Sequence, residues 1–204
     1  MAELKFSDVA DRLFNNMDDD PVIKDILKVH SGIALALAWL PLPAAGPTMC
    51  LVNICGMYMR INAALRLPFT KSVVKSVAGM IGSNLAGYVA LSVGTVGSEL
   101  LKFIPVLGSV AGALAEGAIF YAVTGMQGKL YCEWLRFMLG RRAIAKDGSY
   151  DEKTAREAME EIFADKERIR DMFKRAKEEA KKADYKKYRD QAMDLINRFK
   201  NGQD

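Results

Sequence analysis

The chain has 204 residues, half of them hydrophobic and 26% charged, with 29 basic and 25 acidic side chains for a net charge of +4. So apolar a composition excludes a wholly disordered chain. So small a positive excess, diluted by acids, argues against a nucleic-acid partner. The charges are unevenly placed: residues 1–30 hold 4 basic and 7 acidic side chains, 31–135 hold 6 and 3, and 136–204 hold 19 and 15. Three parts are expected: an acidic helical head (1–30), an apolar glycine-rich helical domain (31–140) and a charged amphipathic helical tail (149–200).

In chain order, Ser7 is placed to cap a short first helix that Asp18-Asp19-Asp20 breaks. Asp20 before Pro21 is a strong helix start, a capping carboxylate followed by proline in the first turn. That helix turns wholly apolar over 33–40 and must stop at Pro41-Leu42-Pro43, because proline lacks the N–H and clashes with the preceding turn. A second helix is expected from Pro47 to Leu67. Residues 31–59 carry no charge. That is long enough to cross a bilayer, but the prolines at 41, 43 and 47 split it into a hairpin that packs in a core or dips into a membrane from one side. Thr70 is placed to cap a third helix from Lys71, and residues 76–98 are again uncharged. Phe103-Ile104-Pro105-Val106-Leu107-Gly108 reads as a turn, and a further helix runs from Ser109 to about Leu139.

Ten of the sixteen glycines lie between 79 and 128. Glycine costs about 1 kcal/mol in a helix relative to alanine, so such helices need a packing reason. Two are open: close approach of small-residue faces in or near a membrane, or a tightly packed soluble bundle. Glu116 argues against a simple lipid-facing span. Gly140 reads as a helix C-cap, with Arg141 and Arg142 adding positive charge there. Ser149 and Glu152 have capping-box spacing. The tail's apolar positions, Met159, Ile162, Phe163, Ile169, Phe173, Ala176, Ala180 and Ala183, recur mostly by threes and fours. Asp184 is placed to cap a last helix bearing Tyr188, Ala192, Leu195, Ile196 and Phe199. Such a stripe docks on a partner, pairs with itself or folds back on its own bundle. With no strand-like alternation, the fold class is all-α.

The rare residues limit the chemistry. A single histidine, His30, leaves no multi-histidine metal site and no pair of histidines for acid–base work. Cys50, Cys55 and Cys132 lack metal or redox spacing and read as small core residues. No phosphate loop and no nucleophile elbow is present. No cofactor or metal is expected. Glu99, Glu116 and Glu133 are isolated acids that read as helix-end or interhelix groups. The acidic start, without an early apolar stretch, gives no expectation of a secretory signal.

Four segments carry a family resemblance: the elbow Trp39-Leu40-Pro41-Leu42-Pro43, the helix from Thr48 to Asn62, the run Leu101-Lys102-Phe103-Ile104-Pro105-Val106-Leu107-Gly108, and Ala122-Val123-Thr124-Gly125-Met126-Gln127-Gly128. In order and spacing, residues 28–139 resemble the YcjF-type domain of unknown function, a bacterial family often beside or fused to Era-like GTPase domains. That family often has an acid after the elbow, where Ala44-Ala45-Gly46 stand here, and Gln where Asn53 stands. The resemblance implies a helical, membrane- or GTPase-associated module without assigned catalysis.

The expected function is therefore a non-enzymatic, membrane-associated accessory module with a GTPase partner in trans and a helical tail for protein interaction. Arg136, Arg141 and Arg142, just past the apolar block, suggest a cytoplasmic flank at an inner membrane. A soluble all-α scaffold or homo-oligomer is the alternative, and a glycine-rich pore the third reading. The residues singled out for structure or interaction are Trp39, Pro41, Pro43, Lys102, Pro105, Gly108, Gly112, Thr124, Gly128, Arg141 and Arg142.

Overall fold

The computed structural model of the chain describes residues 20–38, 46–92 and 110–202. These residues form seven α-helices: α1 Pro21–Leu37, α2 Gly46–Leu65, α3 Lys71–Ser92, α4 Val110–Gly140, α5 Glu152–Ala164, α6 Lys166–Lys181 and α7 Arg189–Lys200. A 3-10 turn, Tyr185–Tyr188, leads into α7. Among the described residues there is no strand, only an isolated antiparallel bridge between Ile144 and Tyr150. The all-α expectation holds, and the helices pack as a bundle.

Capping residues set most of the starts. Asp20 accepts from the N–H groups of Val22 and Ile23, and Pro21 fills the first turn, as expected. Thr70 Oγ1 accepts from Val73 N at 3.4 Å at the start of α3. Asp184 accepts from Lys186 N and opens the 3-10 turn rather than a full helix. The expected capping box at Ser149 does not form. Ser149 instead donates its hydroxyl and its N–H to Asp147, and Asp151 caps α5 by accepting from Thr154 N. A carboxylate two residues further on outcompetes the hydroxyl, because an ionised acceptor makes the stronger bond to an N-terminal N–H.

Two helices end differently from expectation. The left-handed residue after α4 is Arg142 (φ 52), not Gly140, which is still helical. Ala143 N bonds back to Met138 O and Arg142 N to Leu139 O. The second helix stops at Leu65 rather than Leu67, with Arg66 (φ 55) in the same position and Leu67 N bonded to Asn62 O. This is the double closure that usually places glycine at the left-handed residue. Since both arginines are exposed, Arg66→Gly and Arg142→Gly should each raise stability by about 0.5–1 kcal/mol, read as a higher denaturant midpoint at unchanged slope.

Side-chain pairs set the register. His30 meets Asn53, Gly128 meets Leu27 and Gly117 meets Leu35, so α1 runs antiparallel to α2 and α4. Cys50 meets Thr124 and Asn62 meets Tyr131, so α2 and α4 run parallel. The end of α1, the start of α2, the end of α3 and the start of α4 therefore lie at one end, and residues 66–70 and 141–151 at the other. The core runs from Ile23 and Ile26 through Met57, Ile61 and Ile81 to the fully buried Trp134.

The tail is a second layer. Ala155, Ala158, Met159, Ile162 and Ile169 join the core around α4. Tyr188, Ala192 and Ile196 cover Ile33, Leu37 and Met49. Of the outcomes left open for the apolar stripe, folding back on its own bundle is the one realised. The division at residue 30 falls inside α1. The charged region is also not one continuous helix: Asp165 ends α5 and caps α6 by accepting from Arg168 N at 2.9 Å. The expected first helix from Ser7, the elbow at 39–43, Glu99 and the turn at 102–108 lie outside the described residues.

Candidate functional site

Among the described residues six polar side chains are buried between the helices: His30, Ser31, Asn53, Asn62, Thr124 and Gln127. Asn53 Nδ2 donates to His30 O at 2.8 Å, which turns its Oδ1 toward the ring. His30 Nδ1 lies 2.8 Å from that oxygen and so carries the proton. The lone pair of Nε2 is left facing the Arg60 guanidinium at 3.5 Å. The lone histidine is structural: a neutral imidazole that pins α1 to α2. Burial holds its pKa below the usual 6.5; Asn53 opposes this and the Arg60 charge adds to it.

This shift has a consequence for stability. The unfolded chain takes up the imidazole proton first as the pH falls, so the fold is favoured above about pH 6.5 and loses that contribution as the pH drops through the folded-state pKa. The melting temperature should fall more steeply from pH 7 to pH 5 in the wild type than in His30→Gln.

Below this pair, Tyr58 donates to Gln127 Oε1 at 2.7 Å and Tyr131 donates to Asn62 Oδ1 at 2.6 Å. The two phenol rings stack with centroids 3.8 Å apart. Burial pushes both hydroxyls well above the ordinary tyrosine pKa. They act as hydrogen-bond donors to amide oxygens and not as acids. Cys50 and Thr124 touch at 3.6 Å, and burial raises the thiol. These groups bond to one another across helices, so the buried seam orients helices.

Glu133 does have a partner. Both of its carboxylate oxygens accept from Arg168 Nη1 at 2.9 Å, while Arg168 Nη2 donates to Ile162 O at 3.0 Å. One guanidinium thus closes the end of α5 and ties it to α4. Lysine lacks the fork to serve both. With the two side chains 39% and 24% exposed, Arg168→Lys should cost about 1 kcal/mol, measured by urea unfolding. Spacing gives no clue to this pair, which is 35 residues apart.

An open cleft of about 360 Å³ lies between α1, α4 and the end of α6, lined by Lys28, Tyr121, Glu179, Lys182, Asp184 and Lys187 among others. Ammonium and carboxylate groups alternate round it, so neither sign dominates. Among the described residues no cluster of potential metal ligands occurs.

Among the residues singled out, Thr124 and Gly128 lie on the α4 face toward α1 and α2, with Gly128 against Leu27 and Met57. Gly112 is in the first turn of α4. Arg141 stacks on Phe137 with its guanidinium 5.2 Å from the ring centre. Arg142 is the left-handed residue already described. Trp39, Pro41, Pro43, Lys102, Pro105 and Gly108 lie outside the described residues.

The packing sorts charge along the bundle. Residues 31–37 of α1, 46–59 of α2, 76–92 of α3 and, apart from Glu116, 110–128 of α4 are uncharged and share one half. Arg60, Arg66, Lys71, Lys75, Arg141 and Arg142 gather toward the other. α7 brings Asp190, Asp194 and Arg198 alongside the uncharged half, on the α1 side. The tail covers α4 and α1, and α7 touches only the start of α2. Among the described residues the outer face of the α2–α3 hairpin has no such cover, and Leu51 stands 50% exposed on it. On α3, Ser83 Oγ and Asn84 Nδ2 both donate to Met80 O, so their polarity is partly spent within the helix. Among the described residues no helix is long and apolar enough to cross a membrane. No family model, no curated protein and no solved structure matches this chain.

Proposed function

We propose that the chain is a non-enzymatic, membrane-associated helical module that enters the bilayer from one side with its α2–α3 hairpin, while the tail layer faces water. The observation that carries this reading is the sorting of charge just described. Four helices bring their largely uncharged segments to one half, and among the described residues the tail covers only one flank of it. A hairpin end without charge, uncovered among the described residues, can enter the interfacial region without desolvating an ionised side chain. The absence of a spanning helix among the described residues suits a dip rather than a crossing. The family resemblance adds a GTPase acting in trans, whose binding site this reading places on the water side, on the outward faces of α5 and α6.

Membrane partition of the full chain, expressed without detergent, tests the proposal. The protein should remain with membranes through a high-salt wash and be released by detergent. A monodisperse protein in the soluble fraction overturns it and leaves the glycine contacts as internal packing of a soluble scaffold.

A further inference from the structure

We infer that the base of the α2–α3 hairpin is a binding surface for anionic lipid headgroups, formed by Arg60, Arg66, Lys71 and Lys75. The inference rests on the membrane-associated reading and adds the lipid class and the residues. These four are the only charged side chains in residues 46–92, and no acid occurs anywhere from 26 to 98. Scattered in sequence, they are gathered by the short connection 66–70 at one end of two adjacent helices. All four are exposed, and none takes part in an ion pair among the described residues.

Asp147 and Asp151 lie on the loop that packs against Pro68, and each bonds within its own segment. Asp147 accepts from Ser149 N, and Asp151 accepts from Thr154 N. The same loop adds Lys146. These acids keep their charge, but with Arg141, Arg142 and Lys146 the basic side chains at this end outnumber Asp147, Asp151 and the α1 acids Asp20 and Asp25.

Depth agrees with the charge. At about 1.5 Å per residue, α2 rises about 21 Å from Gly46 to Arg60, and α3 rises about 26 Å from Lys75 to Ser92. Half a bilayer measures about 15 Å of hydrocarbon plus about 5–8 Å of headgroup region. A hairpin entering by its uncharged end thus sets Arg60 and Lys75 near the phosphates, which their flexible stems can reach, with Arg66 and Lys71, about 30 Å from that end, within about a Debye length above them.

Co-sedimentation of the full chain with vesicles tests this. One set is phosphatidylcholine alone, and the other is phosphatidylcholine mixed with phosphatidylglycerol. The hairpin variant combines Arg66→Gly, Lys71→Gln and Lys75→Gln; its glycine relaxes a left-handed residue, so lost binding is not lost folding. The control variant removes as much charge from α6 by Arg170→Gln, Lys174→Gln and Arg175→Gln. A basic residue near an anionic surface contributes about fivefold in partition. The hairpin variant should therefore bind the mixed vesicles roughly a hundredfold more weakly, with the control within a few-fold of wild type and partition onto phosphatidylcholine alone unchanged. Equal wild-type binding to the two vesicles, or an equal loss in the control, overturns the headgroup surface while membrane association stands. Failure to bind either vesicle overturns both readings.

Discussion

Replacing Gly32 with alanine should release the end of the tail from the bundle. The ring of Tyr188 lies where the new methyl group would be, with three of its carbons overlapping that position. A phenol ring cannot shorten or fold away, so the 3-10 turn and α7 must shift as a unit. Tyr188, Ala192 and Ile196 would then lose their cover over Ile33, Leu37 and Met49. Overpacking of this kind costs about 1–3 kcal/mol, and alanine returns up to about 1 kcal/mol of helix propensity. A net loss of about 2 kcal/mol is expected, localised to the tail, with faster hydrogen exchange and proteolysis over residues 185–200 and α2–α4 protected. Gly79→Ala is the matched comparison. Its added carbon meets nothing within 4 Å, so the same substitution there should stabilise by up to about 1 kcal/mol. Equal effects at the two positions would show that Tyr188 does not rest on Gly32.

Gly148→Ala should be strongly destabilising. Gly148 has φ +83, and its missing carbon would overlap Pro68 O and sit 2.9 Å from Pro68 C. Both obstacles are backbone, so no rotamer change relieves them. The left-handed conformation alone costs a non-glycine residue about 1 kcal/mol. Opening the loop away from 66–70 also disturbs the edge contact of Tyr150 with Trp134, at 5.6 Å, and the Ser76–Tyr150 bond. A total of about 3 kcal/mol or more is expected, with a changed near-ultraviolet signal from Trp134. Gly202→Ala separates the two causes, because Gly202 has φ +65 but open space around it. A loss at Gly148 no larger than at Gly202 would mean that the loop does not press on Pro68.

Much of the fold was legible in the sequence because it rests on local chemistry. Asp20-Pro21, Thr70 and Asp184 mark their starts through side chains that reach N–H groups two or three residues on. The apolar period of the tail identified Met159, Ile162, Ile169 and Ala176, which are buried. Misreadings arose where two local signals compete. Ser149 lost to Asp151, and Gly140 was passed over because the closure onto Met138 O and Leu139 O falls two residues further on, at Arg142. The candidate surface was less legible. Arg60, Arg66, Lys71 and Lys75 are unremarkable in a linear reading and become a cluster only when two helices fold together at 66–70.

The sequence alone determined that this protein is helical, where most helices begin, and that its middle is uncharged, because capping, proline geometry and periodicity act over a few residues. Only the tertiary structure decided the rest. It set which glycines are close contacts and which are open, that Glu133 has Arg168, that His30 is a neutral bridge to Asn53, and that the tail folds back instead of standing free. The reason is common to all of them. A partner 20 or more residues away leaves no mark on local spacing, and a stripe that fits its own bundle looks the same as one that fits another protein.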